Sequence, residues 1–137
     1  MKKIYSKIKK NKLLHIIFKK TKKKERINIS PEKEFLQACY LPIKKNNFVK
    51  PHKHFWKKNL YKKRIVQEVW LVISGKVKVY LYDLNDKVIL SKILSAGDFS
   101  ITFEGAHRLV SLSNNTSIYE FKTGPYEGQK RDLKYLK

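Results

Sequence analysis

The sequence predicts an all-β fold, an antiparallel jelly-roll barrel over residues 35–122. Two observations carry this prediction. Short apolar runs alternate with turn residues at regular intervals, which is typical of a sandwich or barrel of many strands. No helix-length periodic segment interrupts these runs, and parallel strands need such a crossover, so an antiparallel double sheet is favoured. We expect about seven or eight strands.

Each predicted strand ends at a turn signal. Residues 69–73 form a continuous apolar run that suits a strand buried on both faces, and Ser74-Gly75 supplies the tight turn after it. Residues 77–82 alternate apolar and polar side chains, as expected for a strand with one half-exposed face. The other predicted strands are residues 35–43, 88–94, 99–103, 107–112 and 118–121.

A basic N-terminal arm over residues 1–30, helical or disordered, is predicted ahead of a single barrel domain with a C-terminal tail over residues 31–137. The chain has 32 Lys and Arg against 11 Asp and Glu, a formal charge of +21. Residues 1–26 hold twelve basic residues and only Glu25 as an acid. Ile4 and Ile8 recur at helical spacing, and Pro31 disfavours helix in the residue before it.

The lysine run of residues 19–26 would attract phosphates, whether of nucleic acid or of an anionic membrane surface. Lysine is also abundant in the barrel region, where a compositional bias spreads positive charge without selecting for a polyanion. Contact of residues 1–26 with nucleic acid or membrane is therefore the less favoured interpretation of the charge, and it stays open.

Cysteine content indicates a reducing, cytoplasmic setting. Cys39 is the only cysteine, which excludes an intramolecular disulfide and a cysteine-based zinc cluster. Its apolar neighbours predict a small buried residue. The apolar residues 13–18 are far short of the roughly 20 needed to cross a bilayer, and no signal-peptide cleavage site follows them.

Two histidines and a carboxylate are the first candidate site residues. His52 and His54 are two apart on a predicted strand, so their side chains share a face, and neutral imidazoles ligate divalent metals. Glu68 adjoins a run that should be buried, where a carboxylate needs a metal, a proton or a cation. Gln67 competes with Glu68 for the inward position, because neighbours on a strand face opposite ways.

Glycine turns at fixed distances join these residues into a longer pattern. Gly75 follows Glu68 after six intervening residues, and Gly97-Asp98 and Gly105 lead to His107. Together with the H-x-H pair, this order resembles the cupin superfamily. The first cupin motif pairs H-x-H with E-x6-G, and the second runs from a Gly-Asp turn to a third histidine.

The resemblance covers residues 49–112 and implies a jelly-roll barrel with a divalent metal in its pocket. Three imidazoles and one carboxylate suit iron, manganese, nickel, copper or zinc, with positions left open for water or substrate. The implied metal ligands are His52, His54, Glu68 and His107, with Gly75, Gly97 and Gly105 as the turn glycines.

The spacing between the second histidine and the glutamate departs from the cupin pattern. Cupins typically place only a few residues there, whereas residues 55–67 intervene here. This insertion is basic and aromatic, and it is predicted to form a loop or lid over the pocket, with Arg64 or Tyr61 reaching an anionic substrate. The alternative is a solvated loop whose aromatic side chains pack on the barrel.

Three functions follow. The first is a cupin that binds a divalent metal and a small polar or anionic ligand, as an isomerase or oxygenase. The second follows from the likeness to small cupins of surface-polysaccharide biosynthesis, a metal-free sugar-nucleotide ketoisomerase or epimerase with His52 or His54 as the catalytic acid or base. The third is a non-enzymatic polyanion-binding protein that uses the basic arm. Whether the chain is an enzyme is left open, and exposed sheet edges make a homodimer plausible.

Overall fold

A computed structural model describes residues 1–43, 45–46, 50–54, 65–125, 128, 131 and 133–136. These residues form ten β-strands in three antiparallel sheets, so the predicted all-β class is confirmed. None of the sheets closes into a barrel within the described residues. The strands are β1 (Lys2–Tyr5), β2 (Leu13–Phe18), β3 (Ile27–Asn28), β4 (Cys39–Tyr40), β5 (Glu68–Ser74), β6 (Lys76–Tyr82), β7 (Val88–Ser95), β8 (Phe99–Thr102), β9 (His107–Ser111) and β10 (Ser117–Lys122).

Two of the sheets face each other across an apolar core. One has five strands in the order β1-β2-β8-β5-β10, and the other has three in the order β7-β6-β9. We call the surface of the five-stranded sheet that meets the three-stranded sheet its inner face. Alternation along each strand sends every second side chain there. The buried residues of this core are Ile4, Ile17, Val72, Val77, Val79, Leu81 and Leu94.

The N-terminal segment differs from its prediction, because it forms strands β1 and β2 of the five-stranded sheet. All six residues of β2 are buried, between β1 and β8. Asp98 fixes the chain just after β2, accepting hydrogen bonds from the Lys20 amide at 2.8 Å and the Lys19 ammonium at 2.6 Å. Burying the apolar run of residues 13–18 against β8 therefore stabilises the segment more than a short helix would, although Ile4 and Ile8 have helical spacing.

A short segment covers the outer face of the five-stranded sheet. Its strands β3 and β4 pair through only two residues each, so the strand predicted over residues 35–43 is confirmed only at Cys39–Tyr40. Cys39 is exposed, and its predicted burial is wrong. Ile29 of this cover is buried against Ile16, Phe18 and other residues of the sheet. The cover thus buries part of the outer face, while Tyr119 and Phe121 of β10 stay exposed there.

The strands predicted after residue 68 are confirmed, with bounds that differ by one or two residues. Ile73 is 42% exposed, so β5 is not buried on both faces along its whole length. Gly75 joins β5 to β6 at a φ of 73°. A Cβ atom there would lie 2.5 Å from the Thr116 hydroxyl oxygen, so the turn requires glycine.

Candidate acid–base site between the sheets

A row of polar residues crosses the inner face at one end of the five-stranded sheet. His15 of β2 lies opposite Thr102 of β8, Thr102 lies opposite Glu68 of β5, and Glu68 lies opposite Lys122 of β10. Residues opposite one another share a face, and Ile17, two residues after His15, belongs to the inner core. We call these four residues the inner polar row. A carboxylate and an imidazole thus stand on the same face as the apolar core residues Ile17 and Val72.

His107 approaches this row from the facing sheet. It lies opposite Leu81, a core residue of β6, so its side chain points between the sheets. Its Nε2 atom is 3.3 Å from Oε1 of Glu68, and the two side chains are 22% and 15% exposed. The sheets therefore bring an imidazole and a carboxylate into contact from opposite sides.

Trp70 holds the imidazole of His107 in place. The two rings meet edge to face, with centroids 4.4 Å apart and planes at 86°. The indole N–H donates a hydrogen bond to Glu120 at 3.2 Å, which orients the ring. Such edge-to-face contacts stabilise a pair by about 0.5–1.5 kcal/mol. The His107 ring consequently has a defined orientation toward Glu68.

The Glu68–His107 pair has unused hydrogen-bonding capacity. Oε1 of Glu68 and Nδ1 of His107 are buried, and neither atom has a hydrogen-bond partner among the described residues. A buried polar atom without a partner destabilises a fold by about 1–3 kcal/mol, so most such atoms are paired. Oε1 is also the atom that faces Nε2 of His107 at 3.3 Å, without forming a hydrogen bond. These two buried atoms make the Glu68–His107 pair the candidate functional site.

His15 is fully buried, and both of its ring nitrogens are hydrogen-bonded. Nε2 donates to the Tyr82 carbonyl at 2.9 Å, because a carbonyl only accepts, and Nδ1 then accepts from the Thr102 hydroxyl at 3.1 Å. Burial lowers the pKa of His15 to about 4, although the Tyr82 hydrogen bond opposes this, and nearby His107 lowers it further. His15 is therefore neutral at pH 7.

Gly105 allows the chain to pass close to this buried histidine. Its φ is 88°, and a Cβ atom would lie 2.7 Å from the Tyr82 carbonyl oxygen and 3.3 Å from Nε2 of His15. Any side chain would displace one of these groups. The glycine just before His107 thus has a packing role that the motif alone does not reveal.

Of the residues predicted for the site, the structure brings Glu68 and His107 together. Glu68 takes the inward position, and Gln67 points to the opposite side. There the Gln67 side chain accepts a hydrogen bond from the Leu36 amide at 2.8 Å and donates one to Glu34 at 3.0 Å. These contacts with Leu36 and Glu34 hold Gln67 on the outer face and leave the inner face to Glu68.

His52 and His54 lie elsewhere than predicted. Both are exposed, and residues 50–54 form no strand. Their rings contact each other edge to face, with centroids 5.0 Å apart, and Nδ1 of His52 is 2.8 Å from the Lys50 carbonyl oxygen. The predicted substrate-binding residues Tyr61 and Arg64 lie outside the described residues.

The metal ligands implied by the resemblance do not assemble. Across the described part of the chain, no three His, Cys, Asp or Glu side chains are grouped so that they could hold one ion. Glu68 and His107 supply two donors, whereas a catalytic metal site of the zinc type takes three from the protein. His15 adds none, since both its nitrogens are engaged. The described residues therefore do not fit a resident metal.

Sequence reasoning missed His15, Thr102 and Trp70 as parts of the site. For His15 a signal was present, because it is the one polar residue in the apolar run of residues 13–18. A histidine at such a position must be hydrogen-bonded once the run is buried. Thr102 and Trp70 carried no comparable signal, since both residue types are common in strands.

Comparison of the chain with protein-family models, curated proteins and solved structures finds no match in any of the three. Within the described residues there is no helix long and apolar enough to span a membrane. Functional inference for this chain therefore depends on the geometry between the sheets.

Proposed function

We propose that this chain is a cupin-like jelly-roll protein that binds a small polar or anionic molecule at Glu68 and His107 and transfers protons on it. The observation that carries the proposal is the 3.3 Å contact between Oε1 of Glu68 and Nε2 of His107. Neither this Oε1 nor Nδ1 of His107 forms a hydrogen bond with a described residue, and both are buried between the two sheets. A carboxylate and an imidazole in contact form a common general acid–base pair.

The strand order supports the jelly-roll part of the proposal. Strands β5, β8 and β10 belong to one sheet and β6, β7 and β9 to the other, so the chain passes repeatedly between two antiparallel layers. Jelly rolls are double sheets of this kind. Gly75, Gly97 and Gly105 all have positive φ, which agrees with their assignment as the turn glycines of the two cupin motifs.

The chemistry best suited to this pair is an isomerisation next to a carbonyl group. One of the two side chains removes the proton from the hydroxyl-bearing carbon beside the carbonyl while the other protonates the carbonyl oxygen, giving an enediol. The first side chain then returns a proton to the former carbonyl carbon as the second takes the proton of the neighbouring hydroxyl, which becomes the new carbonyl. No electron acceptor is needed, because oxidation of one carbon is balanced by reduction of the next. Imidazole suits this task since it exchanges protons near neutral pH.

The charge of the chain favours an anionic substrate. The chain carries +21, and Lys122 lies directly opposite Glu68 in the inner polar row. Lysine and arginine side chains bind phosphate groups through charge-assisted hydrogen bonds. A nucleoside-diphosphate ketosugar, of the kind used in surface-polysaccharide biosynthesis, combines the carbonyl with the charge and is the proposed substrate class. A homodimer formed through free strand edges remains a prediction.

Solvent exchange tests this function without knowledge of the product. A nucleoside-diphosphate ketosugar is incubated with the protein in deuterium oxide, and loss of the C–H signal beside the carbonyl is followed by proton NMR. The Glu68→Gln variant should exchange at least about 100-fold more slowly, the usual contribution of a positioned acid or base. Glu104→Gln is the matched control, because Glu104 is also a half-buried carboxylate but pairs with Lys12.

Two further results would decide against the proposal. Equal exchange by wild type and Glu68→Gln would remove Glu68 from the chemistry. Exchange that disappears on treatment with a chelator and returns with added manganese or zinc would support the metal-dependent function in its place.

A further inference from the structure

The connection between β1 and β2, residues 6–12, is a basic loop with a fixed backbone. The Ser6 hydroxyl donates to Oδ1 of Asp83 at 2.5 Å, and the Lys7 amide donates to Oδ2 at 2.6 Å. The Ser6 oxygen in turn accepts from the Ile8 and Lys9 amides at 3.2 and 2.9 Å. A second anchor, from the Ser6 amide to the Lys12 carbonyl at 2.8 Å, closes the loop.

Asp83 is a charged anchor beneath this loop. It is only 1% exposed, and burial by itself would raise its pKa. Hydrogen bonds from the Ser6 hydroxyl and from the Lys7 and Leu84 amides outweigh burial, so the pKa is lowered overall. The carboxylate thus stays ionised, and its hydrogen bonds to Ser6 and Lys7 fix the loop from its buried side.

The surface of the loop carries lysines that no acid neutralises. Lys7, Lys9 and Lys10 are exposed, and none of them forms an ion pair with another described residue. Lys12, at the base of the loop, is bridged to Glu104. Three like charges within four residues of a fixed backbone repel one another, and an anionic surface relieves that repulsion.

An apolar side chain stands among these lysines. Ile8 is 57% exposed, and Tyr5, at the end of β1, is 47% exposed. A single exposed apolar residue is ordinary, but here it lies between the charges on a fixed loop. Lysines that meet lipid headgroups beside an apolar group that enters the acyl boundary are the usual elements of peripheral membrane binding. Single-stranded nucleic acid is bound mainly by stacking on several aromatic side chains, whereas residues 6–12 contain none and Tyr5 alone precedes them.

We infer that the basic loop docks the protein on an anionic lipid surface, with Lys7, Lys9 and Lys10 on the headgroups and Ile8 inserted between them. This docking is independent of the acid–base function, since no residue of the loop belongs to the Glu68–His107 site. The fixed backbone lowers the entropy lost on binding.

Vesicle cosedimentation of the full chain tests this inference. Vesicles of phosphatidylcholine alone are compared with vesicles that also contain phosphatidylserine. The triple variant Lys7→Gln, Lys9→Gln, Lys10→Gln should lose about 100-fold in binding to the anionic vesicles, because each lysine near such a surface contributes about fivefold. The matched control replaces Lys22, Lys23 and Lys24 by Gln, removing three exposed lysines that follow the other end of β2. Of these, Lys23 is 3.9 Å from Glu25. This variant should lose about threefold or less.

Two single variants test the apolar tip and the fixed backbone. Ile8→Ser should weaken vesicle binding several-fold, most clearly at high salt, where the electrostatic part is screened. Ser6→Ala keeps every charge but removes the bond to Asp83, and it should also weaken binding. Circular dichroism and thermal unfolding confirm that each variant is folded.

Three results would overturn the inference. Equal losses in the two triple variants would show that only total charge matters. Full binding by both Ile8→Ser and Ser6→Ala would show that neither the tip nor the backbone contributes. Single-stranded RNA or free pyrophosphate that binds the wild type, and loses affinity in the loop variant as strongly as the vesicles do, would identify a general polyanion site instead of a lipid surface.

Discussion

Two histidines between the sheets, each beside the inner polar row, are in opposite hydrogen-bonding states. At the His15 end of the row, both nitrogens of His15 are hydrogen-bonded, to Thr102 and to the Tyr82 carbonyl, and burial keeps the ring neutral. Toward the opposite end, which we call the Glu68–His107 end, His107 of the facing sheet contacts Glu68, but Nδ1 of His107 and Oε1 of Glu68 form no hydrogen bond with a described residue. Burial of a histidine therefore says little about its role. The state of its second nitrogen separates a structural histidine from one prepared to meet a ligand.

Removing His15 should produce the largest change in stability. The His15→Ala variant leaves a cavity and an unpaired Tyr82 carbonyl, and it should lower the free energy of unfolding by about 4 kcal/mol. Urea denaturation measures this change. A loss below about 1 kcal/mol would show that the His15 end does not stabilise the fold as its hydrogen bonds indicate.

Low pH should destabilise the folded protein through His15. The pKa of His15 is about 4 in the folded protein, against 6.5 in the unfolded chain, so the unfolded state binds more protons between these values. Stability is therefore complete above pH 6.5 and falls by about 3 kcal/mol as the pH drops to 4. Asp83 and Asp98 also have lowered pKa values, but their contributions are lost only below their ordinary value of 3.8.

Unfolding measured across this pH range checks the assignment. The His15→Gln variant has no titrating group at position 15, and its amide can still donate to the Tyr82 carbonyl. Its stability should vary much less than that of the wild type between pH 4 and 6.5. A pH profile that is unchanged in this variant would assign the acid sensitivity to another group.

The Glu68–His107 end should respond weakly to the same kind of change. Because its polar atoms are not fully hydrogen-bonded, His107→Gln and Glu68→Gln should each change the free energy of unfolding by less than about 1 kcal/mol. Losses comparable to that of His15→Ala would make this pair structural and remove the contrast between the two ends.

The smallest effect is expected at Trp70. Trp70→Phe keeps an aromatic ring beside His107 but removes the exposed hydrogen bond to Glu120. The free energy of unfolding should change by about 0.5 kcal/mol. The rate of proton transfer should fall by a larger factor, because the imidazole of His107 loses its fixed orientation. Thermal unfolding and the solvent-exchange rate, measured on the same sample, separate the two effects.

Part of this arrangement could be predicted from sequence because it depends on local rules. Strands β5 to β10 follow from alternation and turn residues. The choice between Glu68 and Gln67 for the inward position stayed open in the sequence, because it depends on the contacts of Gln67 with Glu34 and Leu36. The place of β2 could not be predicted, because it depends on pairing with β8, and His15 and Thr102 are 87 residues apart in the chain. The predicted strand at His52 and His54 was wrong since the two-residue spacing does not supply a partner strand.

Solvent exchange by two histidine variants tests the contrast between the ends most directly. The rate of deuterium incorporation into a nucleoside-diphosphate ketosugar, per folded molecule, is compared for His107→Gln and His15→Gln. If His107 transfers protons and His15 only supports the fold, the first variant should lose at least about 100-fold and the second less than about tenfold. Equal rates for His107→Gln and the wild type would contradict the assignment of the Glu68–His107 pair as the acid–base site.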